Sequence, residues 1–308
     1  MFYAKGVSLN SQTIQSLWQT TRPPFLLLTP ICVLLGMSLH LDVANWFTQT
    51  IPLLILIGAL AAHISVNALN EYFDFSSGLD LQTTRTPFSG GSGALPNNPS
   101  AHGAALILGI ASLTLCILIG LYFIYLKGSL ILPIGVFGVG IVILYTKWIN
   151  RLPWICLISP GLGFGTFMVI GTYLVLSGEY STQVWLVSLA PFFLINNLLL
   201  LNQYPDIHAD RQVGRRTFPI VYGVNASNLI YALFAIFAYL SIVYCIIQQY
   251  LPVLAFIALL PALLSFASLR GAIKFKKNIA QQPQYLAFNV MAALLTPSLL
   301  IVSIVWGA

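Results

Sequence analysis

The sequence predicts an all-α, polytopic membrane protein with about nine transmembrane helices, and three observations predict it. Charged residues make up only 6% of the 308 positions, where soluble domains carry about a quarter. The mean hydropathy is +0.89. Apolar runs near 20 residues long, enough to cross a ~30 Å hydrocarbon core, recur along the chain. In lipid each backbone polar group must be satisfied within its own segment, so such runs are helices.

The elements follow in order. Residues 1–21 are polar, and the apolar segment from Pro24 has no small-residue cleavage site, so no signal peptide is expected. Within them, Leu9–Thr21 (LNSQTIQSLWQTT) reads as a short amphipathic helix lying on the membrane face. Spans are expected over 22–41, 49–72, 102–126, 129–147, 153–177, 183–203, 225–247, 250–269 and 285–307. The second and sixth of these end in acidic segments. The fifth carries Gly161, Gly163, Gly165 and Gly171, which let a helix unwind or pack closely. In the sixth, Asn196 and Asn197 lie mid-span, where asparagines bond between helices. Cys32, Cys116, Cys156 and Cys245 all fall inside spans, widely separated, and read as buried apolar side chains. The whole is one domain, residues 1–308.

Basic residues set the orientation. With the N-terminus inside, Lys5, Arg22, Arg85, Lys147 and Arg151 all lie inside. Arg211, Arg215, Arg216, Arg270, Lys274, Lys276 and Lys277 join them, leaving only Lys127 of the 13 basic residues outside. The positive-inside rule then places the N-terminus in and the C-terminus out, as expected for a bacterial inner membrane. The net charge of +6 is accounted for by topology and anionic headgroups, with no nucleic-acid partner.

Seven acids are present. Asp42 and Glu179 sit in short outside loops. The other five occupy two inside segments, NALNEYFDFSSGLD (67–80) and NQYPDIHAD (202–210). Acids in or beside spans cost roughly 2.5–3.5 kcal/mol each at mid-helix and less near the interface, so clusters of them need a counter-charge. Asn70 and Asp74 are four apart and share a helix face; Asn202, Asp206 and Asp210 repeat the interval, with Pro205 kinking or starting a helix there. Asp80 lies past Gly78, in a loop folding back over that face. Taken singly, each segment is a solvated loop beside inside-facing cations. The echo between them argues for a shared site and for a pseudo-repeat, with halves at roughly 22–147 and 153–308. Carboxylate and amide oxygens beside basic groups suit Mg²⁺. Zinc is disfavoured, since no cysteine lies near and the histidines are scattered.

At these segments the chain resembles the UbiA superfamily of intramembrane prenyltransferases, which carries one aspartate-rich motif after its second span and another after its sixth. NEYFDFSSGLD is similar to the first motif in its menaquinone-type form, the branch that includes 1,4-dihydroxy-2-naphthoate prenyltransferases. SGGSGAL (89–95) is also similar to that branch, and NQYPDIHADRQVGRRT (202–217) matches the second motif. SLWQTTRPPFLLLTP at the first span and YTKWINRLPW with GLGFG (145–165) look like further family segments. Two positions depart. Glu71 replaces the usual aspartate after Asn70, keeping an anionic oxygen. Phe164 follows GLG where naphthoate-using relatives place an acid, which leaves the acceptor defined only as an aromatic or quinone precursor.

The resemblance implies a UbiA-type bundle with an inside-facing cavity. There, a polyprenyl group passes from an allylic diphosphate to that acceptor with release of diphosphate. It implies Asp74, Asp206 and Asp210 as the catalytic acids. Metal ligands would be Asn70, Asp74 and Asp80 on one side and Asn202, Asp206 and Asp210 on the other, holding Mg²⁺. Arg85, Arg211, Arg215 and Lys147 are candidates for the diphosphate, since guanidinium forks suit phosphate oxygens. Asn67, Glu71, Arg22 and Tyr145 are candidate substrate contacts. His63 reads as a packed, hydrogen-bonded side chain, and His208 points away from the aspartates flanking it. Two alternatives remain at this stage. One is a cation-coupled transporter, whose ion site belongs near the midplane rather than at span ends. The other is a transferase of the same type with a non-aromatic acceptor.

Overall fold

The computed structural model describes residues 10–40, 42–83 and 85–307. Lys5 and the start of the expected interfacial segment, residues 1–9, lie outside the described residues. Among those described, α1 (Ser11–Thr20) is capped by Asn10, whose Oδ1 accepts a hydrogen bond from the Thr13 amide at 2.8 Å. Its buried side chains are polar, Thr13, Ser16 and Thr20, while Ile14 and Trp18 are exposed. That reversed amphipathicity suits a helix at a lipid interface. The chain bends by 46° into α2 (Pro23–Ser38). Arg22 at the bend is left-handed (φ 53°, ψ 62°). A following proline disfavours the right-handed helical region at its predecessor, so the break falls where the sequence forces it.

Among the described residues, seven further helices are long and apolar enough to cross a membrane: α3 (Thr50–Ser76), α4 (Pro99–Lys127), α6 (Pro153–Ser177), α7 (Thr182–Asn202), α9 (Phe218–Ile247), α10 (Val253–Gln281) and α11 (Pro283–Gly307). Between them lie α5 (Ser129–Leu144) and a short α8 (Ile207–Gln212). All nine expected segments are thus helical among the described residues, but only seven are long and apolar enough to be full spans, and of these α9 is kinked at Gly223. The first is bent. The fourth stops at Leu144 instead of 147 and, at about 24 Å, falls short of the hydrocarbon thickness. Its last expected residues leave the helix for a turn in which the Asn150 amide donates to the Tyr145 carbonyl at 3.1 Å.

The most buried span is α7, and the main core gathers on it. Leu194, Ile195 and Leu198 meet Leu35 of α2, Val169 and Ile170 of α6, Ile242 of α9 and Leu300 of α11. Lipid is as apolar as leucine, so close packing and interhelical hydrogen bonds, not exclusion from water, hold such a bundle together. Both are present. In the π-helical stretch Gly161–Phe167 of α6, a Cβ on Gly165 would sit 2.5 Å from the Phe192 backbone nitrogen, a distance only glycine permits. The Gly161 amide there donates to Asn196 Oδ1 at 2.6 Å. Asn197 donates to the Tyr231 carbonyl at 2.9 Å, Tyr231 to Asn289 Oδ1 at 2.9 Å, and Asn289 to the Asn197 carbonyl at 3.0 Å, tying α7, α9 and α11 together.

Candidate active site

At 27 residues α3 runs about 40 Å, longer than the hydrocarbon core is thick, and its last turns carry Asn67, Asn70, Glu71 and Asp74 to one end of the bundle. Asn202 ends α7 in the same way. Asp206 precedes α8, and Asp210 lies on it. Gly78, left-handed at φ 79°, reverses the chain into the turn Leu79–Leu81 and brings Asp80 back. These residues line one cavity of about 770 Å³, together with Arg22, Tyr145 and Arg215; Glu71 alone does not reach it. Away from the acids the walls are apolar, formed by Phe164, Phe167 and Met168 of α6 with Ile134, Gly138 and Val139 of α5.

Two contacts join the motifs. Arg215, in the basic end of the second motif, forms ion pairs with Asp210 at 2.9 Å and with Asp74 of the first. The Gly90 amide donates to Asp206 Oδ2 at 3.1 Å. Gly90 belongs to the loop SGGSG (89–93), which touches the first motif as well. A Cβ on Gly91 would lie 2.8 Å from Asp80 Oδ1, and the Ser92 amide and hydroxyl donate to Glu71 at 2.8 and 2.6 Å. Sequence reasoning reached this loop only through a resemblance. Its physical signal is a pair of adjacent glycines, both at positive φ, between two serines.

The electrostatics follow from burial. Asp80 is pushed up to about 7, first by burial and then by the charges of Glu71 and Asp74. Asp206 is pushed up to about 7 by burial and by Asp210. Burial likewise raises Asp210, against the pull of Arg215. Burial works against the charge on Arg215, but Asp74 and Asp210 outweigh it and hold its pKa above the usual arginine value.

The other expected site residues are placed as follows. Asn70 accepts from Arg22 at 3.3 Å and donates to Thr146 Oγ1 at 3.2 Å. Glu71 is fully buried and paired with Arg22 at 2.6 Å, so this arginine is held by a partner on α3. Asn67 donates to the Thr21 carbonyl at 2.8 Å, fixing the bend before α2. Of the four cations expected at the diphosphate, only Arg215 lines the cavity. Arg85 is exposed and donates to the Asp80 carbonyl at 3.4 Å, Arg211 is exposed and donates to the Ile220 carbonyl at 3.4 Å, and Lys147 lies 4.5 Å from the centre of the Phe73 ring. His63 is buried against Phe164, with ring centroids 4.3 Å apart, and shares a 2.7 Å hydrogen bond with Thr29. His208 is exposed and bonds Gln212.

Asp80 Oδ2, Asn202 Oδ1 and Asp206 Oδ1 are buried without a hydrogen-bond partner among the described residues. Such atoms are costly unless a ligand completes them. All three are hard oxygen donors, which fit Mg²⁺. Among the described residues no three Asp, Glu, His or Cys side chains are grouped closely enough to hold an ion by themselves. Mg²⁺ typically completes its shell with water and substrate phosphate, so the sparse set agrees with it.

Comparison with known proteins gives a consistent picture. The UbiA prenyltransferase family matches residues 29–302. A protein of Bacillus subtilis named 1,4-dihydroxy-2-naphthoate octaprenyltransferase is 31% identical over 74% of this chain and 73% of its own length. One of the same name from Haemophilus influenzae is 23% identical over 69% of this chain and 71% of its own. Among solved structures, a UbiA homolog from Archaeoglobus fulgidus bound to GPP and Mg²⁺ superposes with a TM-score of 0.64 at 14% identity, covering 94% of this chain and 99% of that one. The apo UbiA homolog from Aeropyrum pernix K1 superposes at 0.68 with 16% identity, covering 91% and 98%.

Proposed function

The chain belongs to the UbiA prenyltransferase family, and from that premise we propose that it transfers a polyprenyl group from an allylic diphosphate to a hydroxylated aromatic or quinone-precursor acceptor, with Mg²⁺, inside the membrane it spans. The observation that carries this reading is the pairing of Arg215 with Asp74 and Asp210. It reaches across 141 residues of sequence to Asp74 and closes the two acidic motifs onto one end of a single apolar cavity.

Asn70, Asp74 and Asp80, with Asn202, Asp206 and Asp210, would hold the metal. When bound, Mg²⁺ supplies Lewis-acid neutralisation of a leaving diphosphate. Arg215 is the cation placed to donate to phosphate oxygens, and its fork already addresses both motifs. Arg22, fixed by Glu71, presents a second positive charge at the cavity, suited to an acceptor carboxylate. The apolar walls take the isoprenoid and keep water from the allylic cation. The acceptor named for both curated relatives, 1,4-dihydroxy-2-naphthoate, is the first to try. The roles of individual residues, the two-half repeat and an N-in, C-out placement in a bacterial inner membrane belong to the same proposal. The positive-inside charge distribution supports the last of these.

The test is turnover of purified protein in detergent with Mg²⁺, a labelled polyprenyl diphosphate, and a panel of aromatic and non-aromatic acceptors. Asp74→Ala and Asp206→Ala are expected to lower kcat by at least ~100-fold. Unchanged turnover in both variants sinks the residue assignment, and product only with non-aromatic alcohols sinks the acceptor class.

A further inference from the structure

The cavity holds a second polar surface that the acids do not account for. Beside Arg215 its wall carries neutral groups, among them Asn150, Cys156, Gln203 and Thr217. The segments that bear them are locked together, since the Arg216 amide donates to the Asn150 carbonyl at 2.9 Å. The Gln203 amide nitrogen donates to Cys156 Sγ at 3.6 Å, and that of Asn150 to the Thr146 carbonyl. The Thr146 carbonyl can only accept, which leaves Asn150 Oδ1 over, and the Gln203 amide is placed with Oε1 turned from the Cys156 sulfur. What remains is Asn150 Oδ1, Gln203 Oε1 and Thr217 Oγ1, each buried without a partner among the described residues. The three residues are only 6%, 7% and 2% exposed.

Buried polar atoms are nearly always paired, so three orphans among the residues lining one cavity are an incomplete site. Their chemistry says what completes it. Two amide oxygens accept hydrogen bonds and cannot donate, and the threonine hydroxyl does either. None is charged, and only the threonine hydroxyl could donate to a phosphate or a carboxylate, so the two amide oxygens set the preference. It selects O–H donors. Its place next to Arg215 puts it at the diphosphate end of the cavity, where the allylic carbon must meet the acceptor ring, rather than along the apolar walls.

We infer that Asn150, Gln203 and Thr217 form a neutral subsite that accepts hydrogen bonds from the acceptor's phenolic hydroxyls, orienting the ring towards the allylic carbon. The inference builds on the prenyl-transfer reading above and adds the group that recognises the acceptor. Hydrogen bonds from the hydroxyls to these oxygens also leave more electron density on the ring, which favours attack on a cation. Water on a bound metal presents the same O–H chemistry, and the experiment separates the two sources.

Thr217→Val and Gln203→Met remove the orphan atoms at nearly constant volume, and Thr217→Ser keeps the hydroxyl. With 1,4-dihydroxy-2-naphthoate as acceptor, Thr217→Val and Gln203→Met are each expected to raise its KM by about 10-fold. The KM for prenyl diphosphate and the Mg²⁺ dependence should stay within about twofold, and Thr217→Ser should behave as wild type. One mono-O-methyl ether should bind wild type as weakly as the diol binds Thr217→Val, and that variant should not distinguish the two. Acceptor KM unchanged in both variants, as for groups that hold only water, overturns the inference. So does an equal rise in the Mg²⁺ requirement, which assigns the atoms to metal-bound water. Failure of the wild type to prenylate any hydroxylated aromatic strikes the underlying reaction itself, and is seen before any variant is made.

Discussion

Arg215 places one guanidinium between carboxylates contributed by two distant motifs, and its side chain is 17% exposed while theirs are 8% and 4%. Removing one partner of such a buried set leaves uncompensated charge and typically costs about 3–5 kcal/mol. Arg215→Met is therefore expected to lower the thermal midpoint in detergent and to reduce kcat by at least ~100-fold. Arg215→Lys should recover little of either, because one ammonium cannot reproduce a two-pronged fork. A lysine variant with wild-type kcat and midpoint contradicts this account. The acids themselves were legible in the sequence, since carboxylates beside spans are too costly to be incidental. Their pairings were not. Glu71, a candidate substrate contact in the sequence, anchors Arg22, while Arg85, Arg211 and Lys147, near the motifs in sequence, lie off the cavity.

Glycines separate two kinds of element. In the π-helical turn of α6, Gly165 faces the α7 backbone, whereas Gly163 lines the cavity with nothing within 4 Å of a built Cβ. Gly165→Ala should push α6 from α7 and lower the thermal midpoint, while Gly163→Ala should leave it within error; equal midpoints refute the packing argument. In the SGGSG loop, Gly91 has φ 75° and abuts Asp80. Gly91→Ala is strained there and drives a methyl against that carboxylate, so the Mg²⁺ concentration giving half-maximal rate should rise by about 10-fold or more. An unaltered Mg²⁺ curve removes the loop from the site. The close-packing glycines of α6 were visible as a cluster. Which of them packs and which faces the cavity depends on helix rotation, and a π-turn shifts that rotation by an amount no repeat pattern encodes.

For the molecule as a whole, the acidic end makes stability depend on pH and metal. Asp80 and Asp206 titrate near 7 in the metal-free fold, against an ordinary value of 3.8. Between those values the folded state binds more protons than the unfolded chain, so stability falls as pH rises through the window. Mg²⁺ binds the ionised forms and competes with the protons. The metal-free midpoint should therefore drop from about pH 5 to about pH 8, and added Mg²⁺ should raise it more at the higher pH. A midpoint that climbs over that range, or a Mg²⁺ effect larger in acid, is incompatible with this balance.

The rough extent of the helices, their membrane setting and the two acidic segments were determined by the sequence alone, though the count of full spans was not. Each is a local matter of hydropathy, spacing or the cost of a charge near lipid. The tertiary structure decided what those rules leave free. Arg215 closes the two motifs, the glycine loop sits between them, Arg22 turns inward to Glu71, and three neutral oxygens on the cavity wall stand unpartnered among the described residues. These depend on side chains from segments far apart in the chain, whose mutual distances are fixed only once the helices have packed.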